Sequence, residues 1–460
     1  MSRAPSCIII TLLTYLVMTI HSVAESPNFV VILTDDQSWV GSSLEIIPGD
    51  EHTKSDYYRT PHIERLASTG IRFTQGYSPA PFCCPTRRSI LIGQTPARHI
   101  YQKDQRNWTV NYRKQLSIPQ MLKSANPDYR AAHFGKWDFR FDDVTPEEMG
   151  YDISDGVTTN GTGGGKGSGG PSPQEDPKLI WGITERASEF METQSQAGHP
   201  FYLQVSHYAV HLDIFYREQT LKKTSNWRKG QKHSMPEFAA MTSDVDTGIG
   251  LLIDKIDSLG LTDSTYIFFL SDNGGRNGIP GQDDPEVHRN DPLREGKGTV
   301  YEGGVRVPFI ISGPGVDKNA ISDVVVTGLD ILPTLAELAG YKKALPKALD
   351  GGSLSPMIHN GGRGKVQRNN PFFIFHQAVA RDAETSLILG DYKLVKTWDR
   401  DRLELFDISK DIGESKDLSK KNPKKAEELH RHMVNFLKEV GAETRKVGSK
   451  AEVYENAKPL

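Results

Sequence analysis

Three runs of mostly apolar residues, each broken off by polar, ligand-type side chains, limit what this chain can fold into more than any other feature. Asn28 to Thr34 reads Asn-Phe-Val-Val-Ile-Leu-Thr and stops at Asp35-Asp36; Phe201 to Ser206 leads into His207 and His211; Thr265 to Ser271 stops at Asp272-Asn273. A strand that lacks polar alternation is buried on both faces, so its sheet needs helices on each side. In parallel α/β sheets, functional groups collect beyond the carboxyl ends of the strands. These residues, distant in sequence, are therefore expected to converge.

Helical spacing supplies the flanking layers. Val245, Ile249, Leu252, Ile256 and Leu259 mark a helix over Asp244 to Leu259, stopped by Gly260, and a second candidate runs from Leu329 to Ala339 before Gly340. Val305 to Ile311 reads as a further strand, with Pro308 pushing its middle to an edge or an end. The expected fold class is α/β, a large mixed and mostly parallel sheet flanked by helices. Polar residues and glycines from Gly361 to Asn370 suggest a boundary. Beyond it, Phe372 to Phe375, Tyr392 to Thr397 and Leu403 to Asp407 read as short strands, and Pro423 to Val440 as a helix with Leu429, Met433, Phe436, Leu437 and Val440 on its apolar side. This predicts a smaller antiparallel sheet packed on one helix, and an organisation of 1–24 leader, 25–365 main domain and 366–460 C-terminal subdomain. Gly161 to Gly170 reads as a flexible loop. Gly165-Lys166-Gly167 within it lacks the following Ser/Thr and the feeding strand of a phosphate-binding loop.

The leader is expected from Arg3, the apolar run Cys7 to Ile20 and the small residues Ser22-Val23-Ala24, which together read as an export signal cut near Ala24. Cleavage there removes one Arg and takes the formal net charge from −3 to −4. A chain of that charge is no nucleic-acid binder, and an anionic substrate would need a local basic patch. No stable membrane association is expected. Of the three cysteines, Cys7 leaves with the leader, while adjacent Cys83 and Cys84 are poor disulfide partners. Asn107-Trp108-Thr109 and Asn160-Gly161-Thr162 fit the glycosylation pattern.

Asp35, Asp36, Asp272 and Asn273 are hard oxygen ligands suited to Ca²⁺ or Mg²⁺. Single pairs of this kind also open loops and cap helices, but here two pairs each end a buried strand. Cys83-Cys84-Pro85-Thr86-Arg87, with Leu91-Ile92-Gly93 four residues beyond the arginine, sets a thiol, a helix-opening proline and a guanidinium at one helix N-terminus. This run resembles the signature of the type I sulfatases, an alkaline-phosphatase-like family. Further segments follow in the family's order. Gly135-Lys136-Trp137, His207-Tyr208-Ala209-Val210-His211, Gly296-Lys297-Gly298 through Glu302-Gly303-Gly304-Val305-Arg306, and Leu405-Phe406-Asp407-Ile408 with Asp411 and Gly413-Glu414 each resemble one of them.

The resemblance implies a calcium-dependent sulfuric ester hydrolase in which Cys83 is oxidised to formylglycine by a formylglycine-generating enzyme. It implies one Ca²⁺ held by Asp35, Asp36, Asp272, Asn273 and residue 83. Arg87, Lys136 and Lys297 are then cations for the sulfate, and His211 the acid for the leaving alcohol. A sulfated carbohydrate is the expected substrate class. The alternatives are a phosphate or phosphonate monoester hydrolase on the same fold and a non-catalytic anion-binding relative. One position departs from the family: Asp138 stands where a histidine follows Gly-Lys-Trp. It reads as a replacement base, as a structural acid paired with Arg140, or as a mark of lost activity. His207 reads as a strand-end histidine satisfied by backbone. His376 and the His288-Arg289 pair read as exposed polar residues.

Overall fold

The computed structural model of the chain describes residues 26–99, 113–139, 143–164, 175–281, 288–378, 382–443, 445–447 and 450–452. The expected leader, Asn107, Arg140 and Gly165-Lys166-Gly167 fall outside those residues. The strands are β1 (Asn28–Thr34), β2 (Gly70–Phe73), β3 (Gly76–Tyr77), β4 (Arg130–Gly135), β5 (Ile153–Ser154), β6 (Phe201–Ser206), β7 (Thr265–Ser271), β8 (Phe309–Ser312), β9 (Ala320–Ser322) and β10 (Val326–Thr327). Eight of them form one sheet in the order β5-β4-β6-β1-β7-β8-β2-β9. Within it only β8 runs against its neighbours.

β1 lies at the centre, parallel to β6 and β7, with Leu33 opposite Ser206 and Thr34 opposite Ser271. Every residue of β1 is buried, and its side chains alternate between two cores. Val30 and Ile32 join Leu203, Val205, Ile267 and Phe269 under the helices Pro61–Ser68, Ile180–Ala197 and Pro236–Ser258. Phe29, Val31 and Leu33 join Tyr202, Phe268 and Leu270 under Cys83–Ile92, Ile118–Ala125 and Ile331–Leu338. Each such side chain contributes roughly 1.5–3 kcal/mol by leaving water, which is why the unalternating runs form the central strands.

A second sheet, β11 (Phe373–Gln377), β12 (Glu384–Leu389), β13 (Tyr392–Thr397) and β14 (Arg402–Asp407), is antiparallel throughout. One face packs Leu387, Leu394 and Leu405 against Leu429, Met433 and Leu437 of the helix Pro423–Val440. Its other face sets Phe375, Ile388, Val395 and Phe406 on Tyr77, Val300, Tyr301 and Val305 of the large sheet's side.

Several local expectations change. Val305 closes a short helix, Glu302–Val305, and the strand begins only at Phe309, because Pro308 has no N–H to give a ladder. The helix expected from Asp244 starts at Pro236 and buries Phe238 and Met241 as well. His376 is buried on β11 rather than exposed, with its ring between the Thr385 hydroxyl (2.8 Å) and the Glu443 carbonyl (2.8 Å). Arg289 is buried and donates to the Tyr58 hydroxyl at 2.6 Å, whereas His288 is exposed as expected.

Candidate active site

The ladders of the large sheet continue past the strand ends and carry the polar residues together. Asp35 N–H donates to the Ala209 carbonyl (2.9 Å), Val210 N–H to the Asp35 carbonyl (2.7 Å), Asp272 N–H to the Thr34 carbonyl (3.0 Å) and Lys136 N–H to the Ser206 carbonyl (2.8 Å). The ends of β1, β4, β6 and β7 thereby open on one floor. Gly135 permits the last step, since at φ 97° a Cβ there would lie 2.0 Å from the Ser206 carbonyl oxygen. Asp36 and Asp138 take left-handed φ of 60° and 52°, unusual for residues with a side chain.

Cys83 opens the helix Cys83–Ile92. Thr86 pins the turn before it, accepting from Ala80 N–H (3.2 Å) and donating to the Ala80 carbonyl (3.1 Å). Arg87 lies one turn beyond Cys83 on the same face, where Asp272 Oδ2 accepts from its Nε (3.0 Å) and Nη2 (2.7 Å). Arg87 Nη1 donates to the Lys136 carbonyl at 2.7 Å. Lys297 is delivered by its own loop: its N–H donates to the Gly275 carbonyl (2.9 Å), and Gly298 N–H to that of Pro81 (3.0 Å), two residues before Cys83.

The side chains then meet. Lys136 Nζ donates to Asp35 Oδ2 at 2.5 Å and stands 3.5 Å from Asp138 Oδ2. Lys297 Nζ donates to Asp36 Oδ1, which also accepts from Asn273 Nδ2 at 2.8 Å. His211 Nε2 lies 3.8 Å from Asp36 Oδ2, and the His211 ring is half-buried at the site's mouth. All ten residues singled out from the sequence for catalysis or metal binding thus surround one place. His207 does not join them. It turns toward Gly248 of the helix layer, and neither ring nitrogen finds a partner among the described residues, so the expected backbone bond is absent.

Burial alone would raise the Asp35 carboxyl, but Lys136, His211, Arg87 and Lys297 outweigh it and hold that carboxyl well below the usual range. Burial, helped by the Asp35 charge and opposed by Arg87, lifts Asp272 to about 6. Burial would depress Lys136 and Lys297, yet the carboxylates around them keep both above the ordinary lysine value. Burial pushes the Cys83 thiol up to about 12, with the Asp138 charge as the next cause. A thiol so placed stays protonated near neutrality and is a poor nucleophile as it stands.

The donor set fits a hard divalent cation. Asp35 Oδ1, Asp36 Oδ2 and Asn273 Oδ1 are buried with no hydrogen-bond donor. Asp35, Asp36 and His211 offer ligand atoms within 4.8 Å of one another. Each oxygen left so costs about 1–3 kcal/mol unless something fills the gap, and oxygen ligands in this number suit Ca²⁺. Charge agrees: Asp35, Asp36, Asp138 and Asp272 outnumber Arg87, Lys136 and Lys297, so the protein alone does not favour an anion here, and a divalent ion reverses the sign.

One neighbour carried no sequence signal. Lys178 is 2% exposed, and the charges of Asp35, Asp36 and Lys136 all act on it. It belongs to no family-like segment, and only the packing of residues 176–181 beside the His211 loop reveals it.

Known proteins match this architecture. The chain is 26% identical to a sulfatase of Formosa agariphila, over 87% of this chain and 85% of that one. It is also 26% identical to the N-acetylgalactosamine-6-sulfatase of Mus musculus, over 81% and 73%. The solved PsFucS1 sulfatase of Pseudoalteromonas sp. superposes with a TM-score of 0.72 at 21% identity, covering 92% of each chain, and so shares the fold. Residues 296–443 match the C-terminal region of N-sulphoglucosamine sulphohydrolase. No helix among the described residues is long and apolar enough to cross a membrane. Because the sulfatase family model matches residues 27–341, well over half of its length, the chain belongs to the sulfatases.

Proposed function

We propose that this sulfatase cleaves sulfate esters of a carbohydrate using one Ca²⁺ and a formylglycine made from Cys83. The observation that carries the reading is the convergence of residue 83 with Arg87, Lys136 and Lys297 beside three buried oxygens that no hydrogen bond satisfies. A carbohydrate substrate is supported by the name of the mouse relative. Export fits the leader-like residues at 1–24, and maturation would need a formylglycine-generating enzyme.

A sulfate ester resists attack because its oxygens spread negative charge toward the nucleophile. Lys136 and Lys297 place ammonium groups beside residue 83, and Arg87 is fixed by Asp272 so that its charge is available without reorganisation. Asp35, Asp36, Asp272, Asn273 and residue 83 would hold the calcium, and Asp272 Oδ1 also accepts from Asp36 N–H (3.2 Å). The ion supplies a Lewis acid for the sulfate oxygens. Formylglycine at residue 83, when hydrated, would supply two hydroxyls on one carbon, a nucleophile for sulfur and a second hydroxyl for sulfate release. His211 gives its proton to the sugar oxygen as the S–O bond breaks. Asp138, buried and close enough to Cys83 to raise its thiol, is the base for release. Water enters overall, and alcohol, sulfate and one proton leave.

The test is mass spectrometry of the peptide across Cys83 after expression with a formylglycine-generating enzyme, paired with a sulfate-release assay. Conversion of Cys83 together with sulfate release is the expected result. A thiol that persists under those conditions, or release that survives Cys83→Ala, would defeat the mechanism.

A further inference from the structure

Lys178 sits in a turn held by Asp176, whose carboxylate accepts from Trp181 N–H (3.0 Å) and Gly182 N–H (2.9 Å) at the start of the helix Ile180–Ala197. Two consecutive residues, Lys178 (φ 60°) and Leu179 (φ 55°), are left-handed there. For side-chain-bearing residues this costs about 1–3 kcal/mol each, and such strain concentrates at ligand clamps. The turn aims the Lys178 stem inward. Its ammonium lies 5.1 Å from the Phe215 ring centroid, and the Arg217 guanidinium covers the Trp181 ring at 3.8 Å while pairing with Asp244 at 2.8 Å. Residues 176–181 are thus clamped to the segment that carries His211.

The other deeply buried lysines, Lys136, Lys393 and Lys396, each have a carboxylate partner. Lys178 makes neither hydrogen bond nor ion pair with any described residue, although the charges of Asp35, Asp213 and Asp36 reach it. A lysine 2% exposed with no carboxylate at ion-pair distance is short of both water and a counter-ion, and an anion arriving from outside would supply what it lacks. Asp35, Asp213, Lys136 and Asp36 are the charges that act on Lys178, and its ammonium faces Phe215, so it borders the sulfate site from the side of the segment that carries His211.

We propose that Lys178 forms a second anion subsite on the His211 side of the active site, taking a further sulfate or a carboxylate on the sugar whose sulfate ester is cleaved. This rests on the sulfated-sugar reading of the neighbouring site. A lysine suits the task because a charge-assisted N–H···O bond in a dry setting is about twice as strong as a neutral one. The subsite would select sugars carrying two negative groups over those carrying one.

The experiment is calorimetric binding to the calcium-loaded Cys83→Ala protein, which holds ligand without turnover. The probes are glucosamine carrying one sulfate ester, the same sugar with an added N-sulfate, a sulfated uronate and its methyl ester. In the Cys83→Ala parent the doubly charged member of at least one pair binds more tightly. Adding Lys178→Met cuts that advantage at least about tenfold, and Lys178→Arg keeps it within about threefold. Loss confined to the glucosamine pair assigns a sulfate, and loss confined to the uronate pair a carboxylate. No advantage in the parent, an advantage untouched by Lys178→Met, or equal weakening of all four sugars overturns the subsite while sparing the sulfated-sugar reading. Failure of the parent to bind any of them overturns both.

Discussion

Two buried clusters of charge share one loop and end differently. At its start, Lys297 meets the cluster of Asp35, Asp36, Asp272, Arg87 and Lys136, where three oxygens stay open. At its end, Glu302 and Arg306 (3.0 Å) meet Lys393 of β13, which bridges Glu302 (2.8 Å) and Glu414 (3.0 Å), while the Tyr77 hydroxyl donates to Glu302 (2.8 Å). Every charge of the second cluster has an opposite charge beside it, and it rivets the small sheet to the large one. The first is built of similar residues at similar depth but leaves coordination unfilled. Glu414 Oε1 of the second cluster also lacks a hydrogen bond but has the Lys393 ammonium 3.0 Å away, so what marks the first cluster is three open oxygens together and not the burial of charge.

Breaking the two clusters should have different consequences. The largest effect belongs to the open one: Cys83→Ala should lower the sulfate-release rate roughly ten-thousandfold with little change in the thermal midpoint, as read by initial rates and a melting curve. In the closed cluster, Lys393→Met leaves the buried Glu414 without a cation and Glu302 with Arg306 alone, and should cost about 3–5 kcal/mol in denaturant unfolding, while protein that stays folded still binds calcium. If it abolished calcium binding without loss of stability, the division between the clusters would be wrong.

His376 gives a sharper test of the small sheet. Burial holds it at about 4 against the ordinary 6.5, so the folded state refuses a proton that the unfolded state accepts. Its contribution is complete above about pH 6.5 and is lost as pH falls toward 4, up to about 3 kcal/mol. Comparing unfolding of wild type and His376→Gln across that range should show a flatter acid limb for the variant; parallel curves would remove His376 from the account. Smallest is Asp138→Asn, expected to slow turnover about tenfold with calcium affinity unchanged, by steady-state kinetics and calorimetry. An unchanged turnover number would take Asp138 out of the mechanism.

Much of the fold was readable in residue order. β1, β6, β7 and β13 and the helix Pro423–Val440 coincide with the expected spans, because continuous apolar runs and a clean helical stripe leave little choice. β4 escaped notice, since Arg130-Ala-Ala-His-Phe-Gly135 carries two alanines and no β-branched residue, and its strand identity comes from pairing with β6. β12, Glu384-Thr-Ser-Leu-Ile-Leu389, is hidden by a polar first half whose burial rests on hydrogen bonds, Glu384 and Ser386 to the Val300 backbone and Thr385 to His376 and Trp398. Asp35, Asp36, Asp272 and Asn273 could be located because each pair ends a buried strand, whereas Cys83, Arg87, Lys136, Asp138, His211 and Lys297 were legible through the family-like segments that carry them. Which oxygens stay open could not, since that depends on partners more than two hundred positions away, as Asp36 on Asn273 and Lys297. Lys178 and His376 needed the packing for the same reason.

The central claim is that the open oxygens of Asp35, Asp36 and Asn273 hold one divalent cation. Calcium titration of the chelator-stripped protein by calorimetry tests it most directly. The account predicts one calcium per chain, lost in the Asp35→Asn, Asp36→Asn double variant and retained in Lys393→Met. A wild-type protein that binds no calcium, or a double variant that binds it as well as wild type, would contradict it.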